Sequence, residues 1–213
     1  MLPRHRRTSL AKTRSNGTRP PAVAITGGIG AGKSEALAAF HRQGAGVISS
    51  DEIVHQLLRE DHQIRTALLE RFGEAILDDA GQIDRQAIAS VVFSDREALA
   101  WLEALLHPRV VAEYLAWRER LARLPNPPAL SVTEVPLLYE VGGETRFDAV
   151  VVITAPADLR AERRRPPADA RDDRLLPDAE KVARADFAYV NDGSLADLEA
   201  FVAQVVDELR FVA

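Results

Sequence analysis

The chain has 213 residues, a hydrophobic share of 46% and a formal net charge of −5. These values are typical of a globular protein large enough for one sizeable domain, or for a core with an inserted subdomain. The absence of cysteine excludes disulfides, thiolate catalysis and cysteine-ligated zinc. No apolar run approaches the ~18 residues that a membrane-spanning helix needs, and the five histidines show no metal-ligand spacing.

The amino-terminal segment differs in charge from the rest of the chain. Residues 1–20 carry five arginines and one lysine but no acid, and Pro20-Pro21 ends the segment. It lacks the apolar region of a secretory signal, so we expect a disordered basic leader, with a nucleic-acid arm or a transit-like extension as the alternatives. The remaining chain is acidic, which argues against nucleic-acid binding. A cytoplasmic location is the default expectation.

A glycine-rich motif follows the first predicted strand. The apolar run at residues 23–25 leads into GGIGAGKS at 27–34, which matches G-x-x-x-x-G-K-[ST]. Glycines let successive backbone N–H groups converge on an anion, and the helix that follows adds its positive end. Lys33 is expected to reach the β and γ phosphates, and the Ser34 hydroxyl to bind Mg²⁺. The motif predicts a nucleoside triphosphate site, with a chance glycine turn as the alternative.

A second short strand is predicted at residues 47–49, and Asp51 follows it. Ligands of parallel α/β sheets gather at the carboxyl ends of the strands. We therefore expect Asp51 near the phosphates, and a helix cap is its alternative role.

Residues 52–124 are predicted to be mostly helical. We expect Gly73 to end one helix, Ser94 to cap another, and His107-Pro108 to interrupt the latter before a further helix begins. This block is too long for a simple crossover between strands. It predicts an inserted substrate-binding subdomain.

The carboxyl-terminal part alternates strands and helices. Strands are predicted at 129–135, 150–154 and 187–190, and the helices begin near Asp158, at 177 and after Ser194. This order indicates an α/β fold with a parallel sheet.

Several separated segments carry a family resemblance. They are ITGGIGAGKS, the Asp51-Glu52-Ile53 segment, FGEAILDDAGQIDR, the LLHP at 105–108, VPLLYE at 135–140, FDAVVVITAP at 147–156 and ADFAYVNDGSLADLE at 185–199. With them the chain resembles the dephospho-coenzyme A kinase family of P-loop kinases from about residue 22 to residue 210. P-loops occur in many kinases, whereas the other segments together are more specific.

The resemblance implies a P-loop NTPase three-layer fold with a five-stranded parallel sheet, an inserted helical subdomain and a short lid. The nucleotide-binding core would comprise residues 21–51 and 129–213, the lid about 163–180, and the acceptor-binding subdomain 52–124. The implied reaction transfers the ATP γ-phosphoryl group to the ribose 3′-hydroxyl of dephospho-CoA. It gives CoA and ADP, the last step of coenzyme A synthesis. No membrane or nucleic-acid partner is expected, and the protein is expected to be a monomer.

The resemblance also implies site residues. Lys33, Asp51 and Arg163 would be catalytic, with Asp51 orienting or deprotonating the 3′-hydroxyl. The ATP site would comprise Gly28, Ile29, Gly30, Ala31, Gly32, Lys33, Ser34, Glu35 and Asn191, with Ser34 on Mg²⁺. The acceptor would be bound by Asp51, Arg85, His107, Leu138 and Glu140.

Four features have a structural alternative. Arg85 could form only a surface ion pair, and His107 could only kink or cap a helix. The arginines at 160–165 could form a solvated helix face, although arginine suits bidentate phosphate binding. Asn191 could be only a turn residue.

The chain departs from the family pattern in three places. Ser49 stands where the family usually has aspartate, Glu35 stands where it usually has threonine, and the lid is short and lacks a glutamine. A carboxylate at 35 is unfavourable beside a triphosphate unless it turns away or pairs with an arginine. Two alternatives therefore stay open, a P-loop kinase with another small-molecule acceptor and a catalytically weakened nucleotide-binding regulator.

Overall fold

The structure, a computed structural model, describes residues 19–92, 94–163 and 175–210. Its sheet has five parallel strands, which are β1 (Ala22–Thr26), β2 (Gly46–Ser49), β3 (Ser131–Glu134), β4 (Ala149–Thr154) and β5 (Phe187–Val190). Their order across the sheet is β2-β3-β1-β4-β5. The predicted α/β class and the five-stranded parallel sheet are confirmed.

The helices of the described residues alternate with these strands or lie between β2 and β3. They are α1 (Lys33–Arg42), α2 (Ser50–Glu60), α3 (His62–Phe72), α4 (Arg85–Val92), α5 (Arg96–Ala122), α6 (Ala157–Arg163), α7 (Asp178–Arg184) and α8 (Leu195–Arg210). Short 3-10 helices cover Gly73–Ile76 and Gly143–Arg146. Within the part of the chain that the structure describes, no helix combines the length and apolarity needed to span a membrane.

The chain divides into two compact units. One comprises Met1–Ser49 with Trp117–Ala213, and the other comprises Ser50–Ala116. We call the first the sheet unit and the second the helical unit.

The core of the sheet unit is built on the central strand. Every residue of β1 is buried, and Val23 pairs with Val132 of β3 and with Ala149 of β4. The buried cluster also contains Phe40 of α1 and Val205 of α8. A run of small and β-branched residues buried on both faces is what a central parallel strand requires. The sheet thus gives the loop that follows β1 a rigid base.

Two aspartates fix the amino ends of the strands. Asp148 directly precedes β4, and its Oδ2 accepts the Ala22 N–H of β1 at 2.7 Å. Asp186 directly precedes β5, and its Oδ2 accepts the Val150 N–H of β4 at 2.8 Å. Arg19 also pairs with Asp148 at 3.1 Å. At the amino ends of these strands, aspartate carboxylates therefore accept the backbone N–H group of the first or second residue.

Local signals set the helix ends of the helical unit, with one correction. Gly73 ends α3 at φ 69°, as predicted. The predicted cap Ser94 is wrong, because Asp95 Oδ1 accepts the Glu97 N–H at 2.8 Å and so caps α5. The Ser94 hydroxyl instead donates to the Val91 carbonyl at the end of α4. An aspartate is at least as good a cap as a serine, and the neighbouring serine bonds backward.

The predicted interruption at His107-Pro108 is also wrong, since α5 continues through Pro108. Proline removes one helical N–H, which normally kinks or ends a helix. Here the Arg109 guanidinium donates to the Leu105 carbonyl at 3.0 Å and satisfies one acceptor beside the proline. Buried Leu106 and Val110 flank Pro108 on the same helix. Packing on both sides of the proline therefore outweighs the lost hydrogen bond.

Candidate nucleotide site

The glycine motif connects the carboxyl end of β1 to the amino end of α1. Gly27 has φ 145°, and a Cβ there would lie 1.9 Å from the carbonyl oxygen of Ile153 in β4. Gly32 precedes α1 with a left-handed φ of 95°. Both positions therefore require glycine, one for close approach and one for its backbone conformation. The loop leads directly into the amino end of a ten-residue helix. Backbone N–H groups of such a loop and the positive end of the helix together form an arrangement that binds phosphate.

Asn191 ties this loop to the end of β5. Its side-chain amide is buried and donates to the Ala31 carbonyl at 2.9 Å. A Cβ at Gly32 would lie 2.2 Å from that amide nitrogen, so the glycine also makes room for the asparagine. The Asn191 N–H donates to the Thr154 carbonyl at 2.7 Å. Asn191 is thus more than a turn residue, because it holds the shape of the loop.

Lys33 and Ser34 begin α1. The Lys33 ammonium donates to the Gly28 carbonyl at 3.1 Å and is partly buried, so it folds back over the loop. Ser34 is exposed in the first turn. A lysine over the loop and an exposed hydroxyl at the helix start are the groups expected to meet phosphate oxygens and Mg²⁺.

Glu35 pairs with an arginine. Its Oε1 accepts a hydrogen bond from Arg42 Nη2 at 2.8 Å, and Arg42 Nε donates to Glu199 of α8 at 2.6 Å. The hydrogen bonds that Arg42 donates to Glu35 and Glu199 raise the pKa of Arg42, which therefore stays charged. Because Glu35 pairs with an arginine, its carboxylate is tolerable beside a triphosphate.

Two arginines of α6 lie close to the phosphate loop or to Asn191, which holds the shape of that loop. Arg163 Nη1 donates to the Asn191 carbonyl at 3.2 Å. Arg160 Nη1 lies 3.2 Å from Asp178 Oδ2 at the start of α7, and it would lie 2.5 Å from a Cβ at Gly28. The lid predicted at about 163–180 falls largely outside the described residues, as do Arg164 and Arg165.

The PLLYE segment carries a buried ion pair that sequence reasoning missed. Leu138 is fully buried, and Glu140 Oε1 lies 2.7 Å from the ammonium of Lys181 in α7. The Lys181 side chain is 0% exposed. Glu140 Oε1 also accepts the Leu176 N–H at 2.9 Å. A lysine in an amphipathic helix is ordinarily interpreted as solvent-exposed, so only the long-range packing shows this contact.

Tyr139 in the same segment lies under an arginine. The Arg184 guanidinium carbon is 4.3 Å from the centre of the Tyr139 ring. Burial raises the pKa of Tyr139, and the charges of Asp186 and Glu144 add to the effect. Its buried hydroxyl has no hydrogen-bond partner within residues 19–92, 94–163 and 175–210.

The other predicted acceptor residues belong to the helical unit. Asp51 is exposed in the first turn of α2. Arg85 is exposed at the start of α4, and its Nη1 lies 3.4 Å from His55 Nδ1. His107 is half-buried within α5. A pocket of about 220 Å³ in this unit is lined by other side chains, namely Ile53, Gln56, Leu57, Glu60, Asp61 and Glu113.

No group of three or more histidine, aspartate or glutamate side chains in the described ranges is arranged to hold a metal ion. A magnesium ion that bridges nucleotide phosphates takes most of its ligands from phosphate and water, with few from protein. A single hydroxyl at Ser34, with no carboxylate cage, fits that mode of binding.

Comparison with known proteins gives a consistent result. The family model described as dephospho-CoA kinase matches residues 21–197. A dephospho-CoA kinase from Anaeromyxobacter dehalogenans is 38% identical over 196 residues, covering 88% of this chain and 92% of that protein. A solved structure from Thermus thermophilus superposes with a TM-score of 0.73 at 36% identity, covering 90% and 98% of the two chains. A dephospho-CoA kinase from Campylobacter jejuni superposes with a TM-score of 0.63 at 28% identity, covering 89% and 97%.

Proposed function

Since the chain belongs to the dephospho-CoA kinase family, we propose that it transfers the ATP γ-phosphoryl group to the ribose 3′-hydroxyl of dephospho-CoA. The products are CoA and ADP. The observation that carries the proposal is the formed phosphate loop at residues 27–34, within a family match that extends to residue 197. Family membership identifies the chain as an ATP-dependent kinase.

The phosphate loop binds and polarises the triphosphate. Backbone N–H groups from Gly28 to Ser34 and the amino end of α1 stabilise the phosphate oxygens. Lys33, held over the loop by the Gly28 carbonyl, exchanges that carbonyl for a phosphate oxygen and stabilises the charge that develops on the transferring group. Phosphoryl transfer depends mainly on such positioning and electrostatics.

The Ser34 hydroxyl is the protein group that would hold Mg²⁺ with the phosphates. The ion, when bound, neutralises phosphate charge and fixes the conformation of the triphosphate.

Asp51 acts on the acceptor. Its carboxylate accepts the proton of the ribose 3′-hydroxyl as that oxygen bonds to the γ-phosphorus. The bond from the γ-phosphorus to the β–γ bridging oxygen breaks, and ADP leaves with the electron pair. Asp51 suits this role because it is an exposed carboxylate two residues after a strand end.

The remaining residues bind the acceptor or the transferring group. Arg163 stabilises the phosphoryl group, since a guanidinium suits phosphate geometry. Arg85 and His107 bind acceptor phosphate or hydroxyl groups, and Leu138, which is fully buried, supports the acceptor side from within the PLLYE segment. Glu140 would act on the acceptor side by holding the PLLYE segment, since its Oε1 lies 2.7 Å from the Lys181 ammonium and its Oε2 is buried.

The test is an ADP-release assay with Mg-ATP and a panel of hydroxyl acceptors. We expect dephospho-CoA to stimulate ADP release strongly. Asp51→Asn should lower kcat by about 10²–10⁴-fold, the usual contribution of a positioned general base, and Lys33→Ala should nearly abolish turnover. The matched control is Glu52→Gln, which neutralises the neighbouring exposed carboxylate of the same helical turn and should retain activity.

The assay also separates the alternatives. Stimulation by another acceptor would indicate a kinase with shifted specificity, for which Ser49 in place of an acid is a candidate cause. ATP binding without stimulation by any acceptor would indicate a regulator. A cytoplasmic location, a monomeric state and the absence of a nucleic-acid partner remain predictions.

A further inference from the structure

Two cationic side chains lie close to Gly28, near the start of the phosphate loop. The Lys33 ammonium bonds the Gly28 carbonyl at 3.1 Å. The Arg160 guanidinium lies against the same residue, where a Cβ at Gly28 would meet Nη1 at 2.5 Å. The first of these cations belongs to the loop motif, whereas the second comes from α6, which begins at Ala157 after β4.

Arg160 is held at this position by a carboxylate. Asp178 Oδ2 lies 3.2 Å from Arg160 Nη1, and Asp178 Oδ1 would lie 3.2 Å from a Cβ at Gly28. The side chains of Arg160 and Asp178 are 30% and 27% exposed. The ion pair therefore lies at the rim of the loop, within reach of solvent and of a ligand.

The energetics favour replacement of Asp178 by a phosphate as the partner of Arg160. Solvent-accessible arginine–carboxylate pairs contribute little, typically about 0–1 kcal/mol. A guanidinium binds a phosphate through two parallel, charge-assisted hydrogen bonds, and a nucleotide polyphosphate carries several negative charges. A phosphate entering the loop therefore competes successfully with Asp178 for Arg160.

We propose that Arg160 is a second cation of the nucleotide site, which leaves Asp178 and binds the polyphosphate when a nucleotide enters. Asp178 then acts in the opposite direction, since it holds Arg160 in the empty site and thereby lowers nucleotide affinity. The proposal rests on the nucleotide-binding part of the proposed function and is independent of the acceptor.

The test is calorimetric titration of the full-length protein with Mg-ADP. Arg160→Ala should weaken ADP binding by about tenfold or more, the usual loss of a charge-assisted hydrogen bond. Arg160→Lys keeps the charge without the two-pronged geometry and should give an intermediate loss. Asp178→Asn should bind ADP as tightly as the wild type or up to about fivefold more tightly, because it removes only the cost of releasing the ion pair.

The matched control is Arg19→Ala. Like Arg160→Ala, it removes one positive charge and breaks a partly exposed pair with an aspartate. That pair lies at the amino ends of the strands, away from the phosphate loop. It should change ADP affinity by less than about twofold, since exposed charges far from the loop are screened. Thermal unfolding of each variant shows whether it is folded, and Arg160→Lys decides the question if Arg160→Ala does not fold.

The sign of the Asp178 effect distinguishes a ligand contact from a structural ion pair. Arg160 variants that bind ADP like Arg19→Ala overturn the proposal. Loss of affinity in Asp178→Asn equal to that in Arg160→Ala also overturns it, because the pair would then act only as a scaffold. A wild-type protein that does not respond to dephospho-CoA refutes the proposed acceptor and leaves the ADP titrations decisive for Arg160.

Discussion

Replacing Lys181 with methionine removes the positive charge that the sheet unit buries beside Glu140. The two charged groups are 2.7 Å apart, which corresponds to an attraction of about 6 kcal/mol at an effective dielectric constant of ~20. Desolvation cancels most of this attraction when the pair forms. Removing one partner leaves the other charge buried without compensation, which typically costs about 3–5 kcal/mol. That loss is a large part of the roughly 5–15 kcal/mol by which domains are usually stable.

The double variant Lys181→Met/Glu140→Gln separates charge from packing. It removes both charges, and the amide oxygen introduced at position 140 would still accept the Leu176 N–H that Glu140 accepts now. We expect its stability to return to within about 1–2 kcal/mol of the wild type, since neutral replacements of buried pairs are often tolerated.

Urea unfolding followed by circular dichroism measures both effects. Arg123→Met serves as the control, because it breaks an exposed pair with Glu119 and should cost about 0–1 kcal/mol. A loss below about 1 kcal/mol in Lys181→Met, or a double variant as unstable as the single one, would refute this account of the buried pair.

Two further predictions concern Glu35 and Tyr139. Arg42→Ala leaves Glu35 without its guanidinium partner at the helix start, so we expect ADP binding to weaken about two- to fivefold, and the added change Glu35→Gln to restore it in a calorimetric titration. The raised pKa of Tyr139 means that the folded state resists ionisation, so stability is fully present below the unfolded pKa of about 10 and falls as the pH rises beyond it. Tyr139→Phe should show a shallower fall in urea unfolding between about pH 9 and 11, and should be about as stable as the wild type, or up to about 1 kcal/mol more stable, at neutral pH. Equal slopes for the two proteins above a pH of about 10 would contradict this reasoning.

Local patterns were sufficient to predict the strands and the phosphate loop. The strand at 150–154 is a β-branched run, and the glycines at 27 and 32 fall at positions where the backbone requires them. The sequence signal for each feature lies in adjacent residues, although the neighbours that exclude a side chain, Ile153 at Gly27 and Asn191 at Gly32, come from distant segments. The end of α3 at Gly73 was predictable for the same reason.

Features that depend on distant residues were not predictable. Nothing near Asn191 in the sequence indicates that its amide reaches the Ala31 carbonyl. The burial of Lys181 likewise depends on Glu140, which belongs to a different segment. The error at Pro108 has a similar origin, because helix propensity does not include the packing of Leu106 and Val110. Tertiary contacts therefore account for most of what the sequence did not indicate.

The two ends of the strands have different roles, because aspartates stabilise their amino ends. Asp148 and Asp186 fix the starts of β1 and β4, while the opposite ends carry the phosphate loop and its Asn191 support. The register of the strands is thus set without help from any ligand. Substitutions intended to raise thermostability, such as stronger ion pairs around Arg19, are best introduced at the amino ends, because they act on the scaffold about five residues of strand away from the chemistry.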